Sequence, residues 1–280
     1  MRIAKITTSL LFFIFVAIVN VQAQMERQRA DISEPVETFW TPTLVSQATT
    51  ETLQARNLNT TIMHSFGIAT SNVVRNFFGL DNVQNVRLGL DYGLTDRWSV
   101  GIGRSSLFNV VDLRSKVTAI RQTSDGATPV SLSFKGDLGI ITQENRQPMK
   151  DDISTLLSAT VSRKFSDAVS IQLAPMYGYY SSVDVGEQRH LFALGMGSRI
   201  QFAERYALIA EYYPVLGNRN NNTKNAFSLG LNIQTGGHVF QLFFASTRWH
   251  LEQYAIAQNN DQFWAGDFRF GFNVNRVFGL

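Results

Sequence analysis

The 280-residue sequence has no cysteine, six prolines and four histidines. Without cysteine there are no disulfides, no thiolate metal sites and no cysteine nucleophile. Charged residues make up 17% of the chain, and the excess of 25 Lys+Arg over 22 Asp+Glu gives a formal charge of +3. That bias is too weak for a nucleic-acid-binding surface. A disordered chain is excluded as well, because 44% of the residues are hydrophobic and such a composition can bury a core. Beyond the N-terminus the sequence also lacks any apolar run near the ~20 residues that a membrane helix requires. The apolar content must therefore be spread out, and its distribution carries the information.

Residues 1–23 read as a secretory signal peptide. Arg2 and Lys5 supply a positive start, Leu10 to Val19 an unbroken apolar run, and Val21-Gln22-Ala23 a small-residue cleavage site. Its removal takes away two positive charges, leaving 23 against 22, or +1. Residues 24–57 are polar and threonine-rich, with Pro35, Phe39-Trp40 and Pro42. Proline and clustered threonine oppose a long helix, so this stretch reads as an irregular periplasmic segment tucked against or into the domain that follows.

From Leu58 the pattern has period two. Val86, Leu88, Leu90 and Tyr92 alternate with Arg87, Gly89 and Asp91, and Phe227, Leu229, Leu231 and Ile233 alternate with Ser228, Gly230 and Asn232. Strict alternation marks strands with one apolar and one polar face. Roughly twelve such runs occupy 58–280, many of them matching the ~9–11 residues of a tilted membrane strand. The connections alternate too. Leu94-Thr95-Asp96, Ser166-Asp167, Ala203-Glu204 and Gly236-Gly237 are tight turns after even-numbered strands. Segments 67–83, 143–152, 182–187, 217–225 and 249–265 are long connections after odd-numbered ones. Only the connections flanking the fourth strand are ambiguous. Short turns on one side and long loops on the other are the asymmetry of an outer-membrane barrel, with both termini periplasmic.

The fold expected is therefore all-β: an antiparallel transmembrane β-barrel of about twelve strands with one short loop helix. A soluble β-sandwich is the weaker alternative, since its strands are shorter and need no turn–loop alternation. In a membrane barrel the apolar face meets lipid and the polar face lines the lumen. The mid-strand charges Arg87, Asp91, Arg114, Lys116, Lys135, Asp137 and Arg269 are accordingly the lumen-lining candidates, with Asp112, Arg199 and Glu211 in the same phase. Aromatics near strand ends, among them Trp98, Tyr206, Tyr177, Tyr179, Tyr180, Tyr212 and Tyr213, resemble interfacial girdles. Phe268, Phe270, Phe272, Val274, Phe278 and Leu280 share one phase on the last strand, as an outer-membrane insertion signal would.

Several strings then carry a family resemblance: Thr49-Thr50-Glu51-Thr52-Leu53, His64-Ser65-Phe66-Gly67, Phe77-Phe78-Gly79-Leu80-Asp81, the run from Asn85 to Arg97, Thr235-Gly236-Gly237-His238 and Phe270-Gly271-Phe272-Asn273. In this order they resemble an uncharacterised outer-membrane β-barrel family (a domain of unknown function) of Bacteroidota, from about Phe39 to Phe278. The resemblance implies a secreted outer-membrane barrel and brings no catalytic residues.

No chemistry-bearing motif competes with that reading. The four histidines, His64, His190, His238 and His250, are isolated from one another and from carboxylates at ligand spacing, so no metal or other cofactor is expected. Ser65 follows His64, but strand neighbours point to opposite faces. Gly101-x-Gly103 and Gly195-x-Gly197 lie inside strands, not before a helix, and read as small residues where the lumen is crowded. Thr70 to Leu80 carries the one helical pattern, with a capping Thr70 or Ser71 and the stripe Val73, Val74, Phe77 and Phe78. It reads as a short helix over the barrel mouth, with an inward plug as the sharper alternative. The leading functional reading is a non-enzymatic narrow pore for small polar solutes in the outer membrane, in contact with its lipid. The alternatives are a non-conducting accessory barrel that binds a periplasmic or surface protein, and a lipid-modifying enzyme with a Ser–His contact on its outer wall.

Overall fold

The computed structural model describes residues 33–144 and 148–280; the signal-peptide reading at 1–23 lies outside the described residues. The strands are β1 (Asn57–Ile68), β2 (Val83–Thr95), β3 (Trp98–Ser105), β4 (Val111–Ile120), β5 (Ser131–Ile140), β6 (Ile153–Lys164), β7 (Val169–Tyr180), β8 (His190–Ala203) and β9 (Tyr206–Tyr213). After Pro214 a two-residue piece, β10 (Val215–Leu216), continues β9 along β8. Then come β11 (Ala226–Thr235), β12 (His238–Ala245) and β13 (Arg269–Gly279). Each wall strand pairs antiparallel with its sequence neighbour, and β13 pairs with β1 from Asn57↔Gly279 to Ile68↔Arg269. The sheet thus closes into a twelve-stranded barrel. Closure matters because lipid offers no hydrogen bonds, so a wall without an edge is one of the two backbone arrangements that can span it.

Alternation places the residues as the period-two pattern predicts. Leu88, Leu90, Ile102, Leu113, Phe134, Leu157 and Phe192 are exposed on the outer face, whereas Arg87, Asp112, Asp137, Arg199 and Glu211 are buried within. On β13 Arg276 interrupts the outward apolar phase, and its guanidinium sits 4.6 Å from the centre of the Phe278 ring.

Two local readings are corrected and one left open is decided. The helical pattern at Thr70–Leu80 forms turns and one 3-10 turn at Phe77–Gly79. Asn72, Phe77 and Phe78 have positive φ, and Val74, Phe77 and Phe78 stay exposed. A short amphipathic helix needs a surface to bury its stripe, and none lies beneath this one. The loop helix is instead α1 (Glu252–Gln258), buried from Glu252 to Ala257. Tyr180 and Tyr213 point inward and are buried, so they belong to the barrel interior and not to a girdle. The connections around β4 depart from the turn–loop rule: 106–110 on the outer side is short and 121–130 on the periplasmic side is long.

Candidate functional site: a lumen entered from both ends

The lumen wall carries an ion-pair ladder on β2 and β4. Arg87 donates to both carboxylate oxygens of Asp112, at 3.0 and 2.6 Å. Arg114 lies 3.2 Å from Asp112 and donates to Asp91 at 2.8 Å. These side chains must reach one another across β3, and the glycines there make it possible. A Cβ on Gly103 would lie 2.1 Å from Arg87 Nη2, and one on Gly101 2.1 Å from Asp91 Oδ1. Farther round, Lys135 pairs with Asp137 at 2.6 Å and also with Glu252. The four cations Arg87, Arg114, Lys116 and Lys135 therefore face four anions, Asp91, Asp112, Asp137 and Glu252. Bidentate, mutually compensated pairs are what makes burying such charges tolerable.

Two segments fill the space inside this wall. From the end that carries the tight turns, residues 38–53 enter the barrel as a tight hairpin, with Thr43 bridged to Ala48 and Leu44 N donating to Gln47 O at 2.8 Å. Wall side chains hold its main chain. Lys116 Nζ donates to the carbonyls of Pro42 and Thr49, both at 3.0 Å. Asn273 donates to Val45 O at 2.8 Å, Gln172 to Ala48 O at 3.0 Å and Thr118 to Thr50 O at 2.7 Å. Glu211, with no cation among its bonded partners, accepts from the amides of Ser46 and Gln47, both at 2.9 Å, and from the hydroxyls of Ser46 and Ser228. Phe39, Leu44 and Val45 pack on Ile209, Phe243 and Ala245. Gly195 and Gly197 leave the room: a Cβ there would lie 2.1 Å from Gln47 Nε2 and 2.5 Å from Leu44 Cδ1, respectively.

From the outer end, the loop 246–268 folds inward and carries α1. Trp249, Leu251, Tyr254, Ala255 and Ile256 pack on the inward residues Leu156, Ala174, Met176 and Leu191 of β6–β8. This side of the lumen is apolar, unlike the expectation of a polar interior throughout. Tyr180 donates to Gln253 O, and Ser154 donates to the Tyr254 hydroxyl at 3.0 Å. The two inserted segments meet where Ala48 N donates to Glu252 Oε1 at 3.1 Å. Between them remains a cavity of about 50 Å³ lined by Arg87, Asp91, Arg114, Lys116 and Lys135, room for a few water molecules.

Of the seven lumen candidates, Arg87, Asp91 and Arg114 share the ladder, Lys116 holds the hairpin, and Lys135 and Asp137 meet α1. Arg269 stands apart at the outer mouth, bound to Asp261 at 2.6 Å and to Ser246 O. Of the two inserted segments, the first was expected only as a stretch tucked against or into the barrel, and the second, with Glu252, was missed. Their signal was apolar content where a solvated loop should have little: Leu44-Val45 in the first and the run Leu251–Ala257 in the second.

A Ser–His contact does exist, though not at His64 or His190. Ser65 Oγ lies 3.1 Å from His250 Nε2, and the ring also bonds the Asn85 backbone. Both residues are buried, with Ser65 1% exposed. Burial, helped by the Arg87 charge, pushes His250 down to about 3. An imidazole so weakly basic, shut away from substrate, is a poor general base. Among the described residues no group of His, Asp and Glu is arranged to hold a metal ion.

Comparison with known proteins agrees with this architecture. The barrel superposes on the NanC porin with a TM-score of 0.51 at 9% identity, over 80% of this chain and 99% of that one. It superposes on the COG4313 outer membrane channel from Pseudomonas putida F1 with a TM-score of 0.52 at 14% identity, over 81% of this chain and 97% of that one. At such identities the likeness is one of fold. No functionally curated protein matches the sequence. Residues 39–278 match the family described as a membrane bound beta barrel domain, DUF5777, and the chain belongs to that family.

Proposed function

We propose that this protein is an outer-membrane barrel built as a narrow polar pore for small polar solutes, and that two segments of its own chain hold the passage shut. The observation that carries this reading is the junction of the inserted segments at Ala48 and Glu252, seated on a charge-balanced wall. Arg87, Asp91, Arg114, Lys116, Lys135, Asp137 and Arg269 are the residues a solute meets when those segments withdraw. Their mixed signs favour dipolar or zwitterionic solutes over ions of one charge. Two solved channels of the same fold support the reading. We further infer export by the N-terminal signal, a Gram-negative host among the Bacteroidota, and no catalytic role.

Solute flux into proteoliposomes tests the proposal. The intact chain should be tight to small amino acids and sugars. Variants lacking 38–53, or with 249–259 replaced by a Gly-Ser linker, should admit them. A second reading, a non-conducting accessory barrel, is favoured by one observation. Residues 34–36 hydrogen-bond along the periplasmic connection 121–130, through Val36 N to Gln122 O at 2.8 Å and Ser124 N to Glu34 O at 3.0 Å, which builds a small platform for a periplasmic protein. That reading predicts that both variants stay tight.

A further inference from the structure

At the outer mouth, between the connection 69–82 and the inward loop, lies a pocket of about 390 Å³ that neither plug fills. Its size falls within the range of small-molecule sites. Its lining is unusual in chemistry. Asn82, Gln84, Gln258 and Asn260 line it, and no side-chain amide of the four makes a hydrogen bond with another described residue. Arg248 also lines it and has no carboxylate within ion-pair distance among the described residues. By contrast Arg269, 3% exposed at the base, is committed through two of its nitrogens to Asp261 and Ser246, while its Nε is buried without a partner.

The walls are firm enough to hold these groups in place. Gly79, at φ +82°, packs onto Gly67, where a Cβ would lie 2.4 Å from the Gly67 carbonyl oxygen. That contact docks the first connection on the end of β1. On the other side, Asn220 donates to Ala257 O at 3.1 Å, and Asn259 bonds Lys224 O and Asp261 O. The end of α1 is thereby tied to the connection 217–225. The Arg248 carbonyl accepts from Asn85 at 3.1 Å, and Trp249 is stacked on Tyr254 and Phe108.

Primary amides present a donor and an acceptor side by side, the pattern that vicinal hydroxyls complement. We propose that this pocket binds a saccharide of one or two rings. The amides of Asn82, Gln84, Gln258 and Asn260 hold hydroxyls, and the unpaired Arg248 holds a hydroxyl or an acidic substituent on the ring. Arg248, Gln258 and Asn260 lie on the inserted loop, so the pocket is formed while that loop is seated, and titration of the intact chain reads it in that state.

Isothermal titration of the full chain in detergent tests it, with maltose as neutral saccharide, glucuronate as acidic one and acetate as bare anion. Saturable heat is expected with at least one of the two sugars. An Asn82→Ala/Gln258→Ala double variant should weaken that binding about tenfold or more, in line with the loss of two hydrogen bonds. Arg248→Gln should weaken glucuronate more than maltose. Two results would overturn the proposal: no saturable binding of either sugar by a protein that still migrates as a folded barrel, or acetate binding equal to glucuronate, which makes the pocket an anion site only. Equal sugar binding by wild type and both variants would overturn it as well, by placing the site elsewhere.

Discussion

At the residue scale the lumen is governed by compensation. Arg87 and Asp112 are 2% and 0% exposed, and each is tolerable because the other is there. Removing one partner of such a pair leaves an uncompensated buried charge, which costs about 3–5 kcal/mol. Asp112→Ala should therefore lower the temperature at which the purified barrel unfolds, read by its heat-dependent gel migration, far more than Asp167→Ala on an exposed turn. Gly103→Val should be comparably harmful, because its side chain would occupy the space through which Arg87 reaches Asp112. The charges were legible at this scale, since mid-strand phase alone marks Arg87, Asp91 and Lys135 as inward. Their pairing was not, because register between strands is invisible in one sequence and the contacts pass across an intervening strand.

His250 supplies a pH dependence of definite sign. The buried imidazole is faced by the Arg87 charge and by His64, with no carboxylate among those groups. Its folded value of about 3 lies below the usual value of 6.5. The inserted loop thus keeps the full benefit of a neutral His250 above the ordinary value and loses it as pH falls from there toward 3, by about 1.4 kcal/mol per pH unit. Acidification should release the loop, seen as increased protease cleavage within 246–268. His250→Gln should flatten that dependence; an unchanged profile in the variant would assign the acid response to other groups.

At the scale of elements, the strands were readable, the insertion of 246–268 was not, and 38–53 was legible only as part of a stretch tucked against or into the barrel. Alternation gave the wall because each strand has lipid on one side and polar groups on the other. Where α1 packs, the strands are apolar on both faces, as at Leu156-Leu157 in β6 and Leu191-Phe192-Ala193-Leu194 in β8, and this break in alternation was the trace that a helix lies inside. The stripe at Thr70–Leu80 has the right spacing but no partner surface, so periodicity alone misplaced the helix. The hairpin 38–53 is held mostly through its main chain, which leaves little signature in side-chain pattern. Its anchor at Glu211 can be tested cleanly because the chain has no native cysteine. In a Leu44→Cys background, thiol labelling should be slow. Adding Glu211→Gln, which replaces an acceptor-only carboxylate by an amide that confronts donors with donors, should speed labelling roughly tenfold or more.

For the whole molecule, the apolar side chains of the described residues have two main destinations. Most form the lipid-facing belt, and a smaller set forms a core inside the barrel where α1 and the hairpin tip pack. The polar remainder is a wall whose charges pair with one another, as Arg87 with Asp112 and Arg114 with Asp91, and with the chain's own inserted segments, as Lys116 and Glu211 do. Under the proposed function, occlusion is part of the fold and a solute path opens when an inserted segment leaves. Single-channel recording in planar bilayers tests this most directly, comparing the intact chain with a variant lacking the 38–53 hairpin and the 249–259 segment. The account predicts a silent intact barrel, broken at most by rare openings, and a steady conductance from the variant. Steady conductance of equal size from both would contradict it.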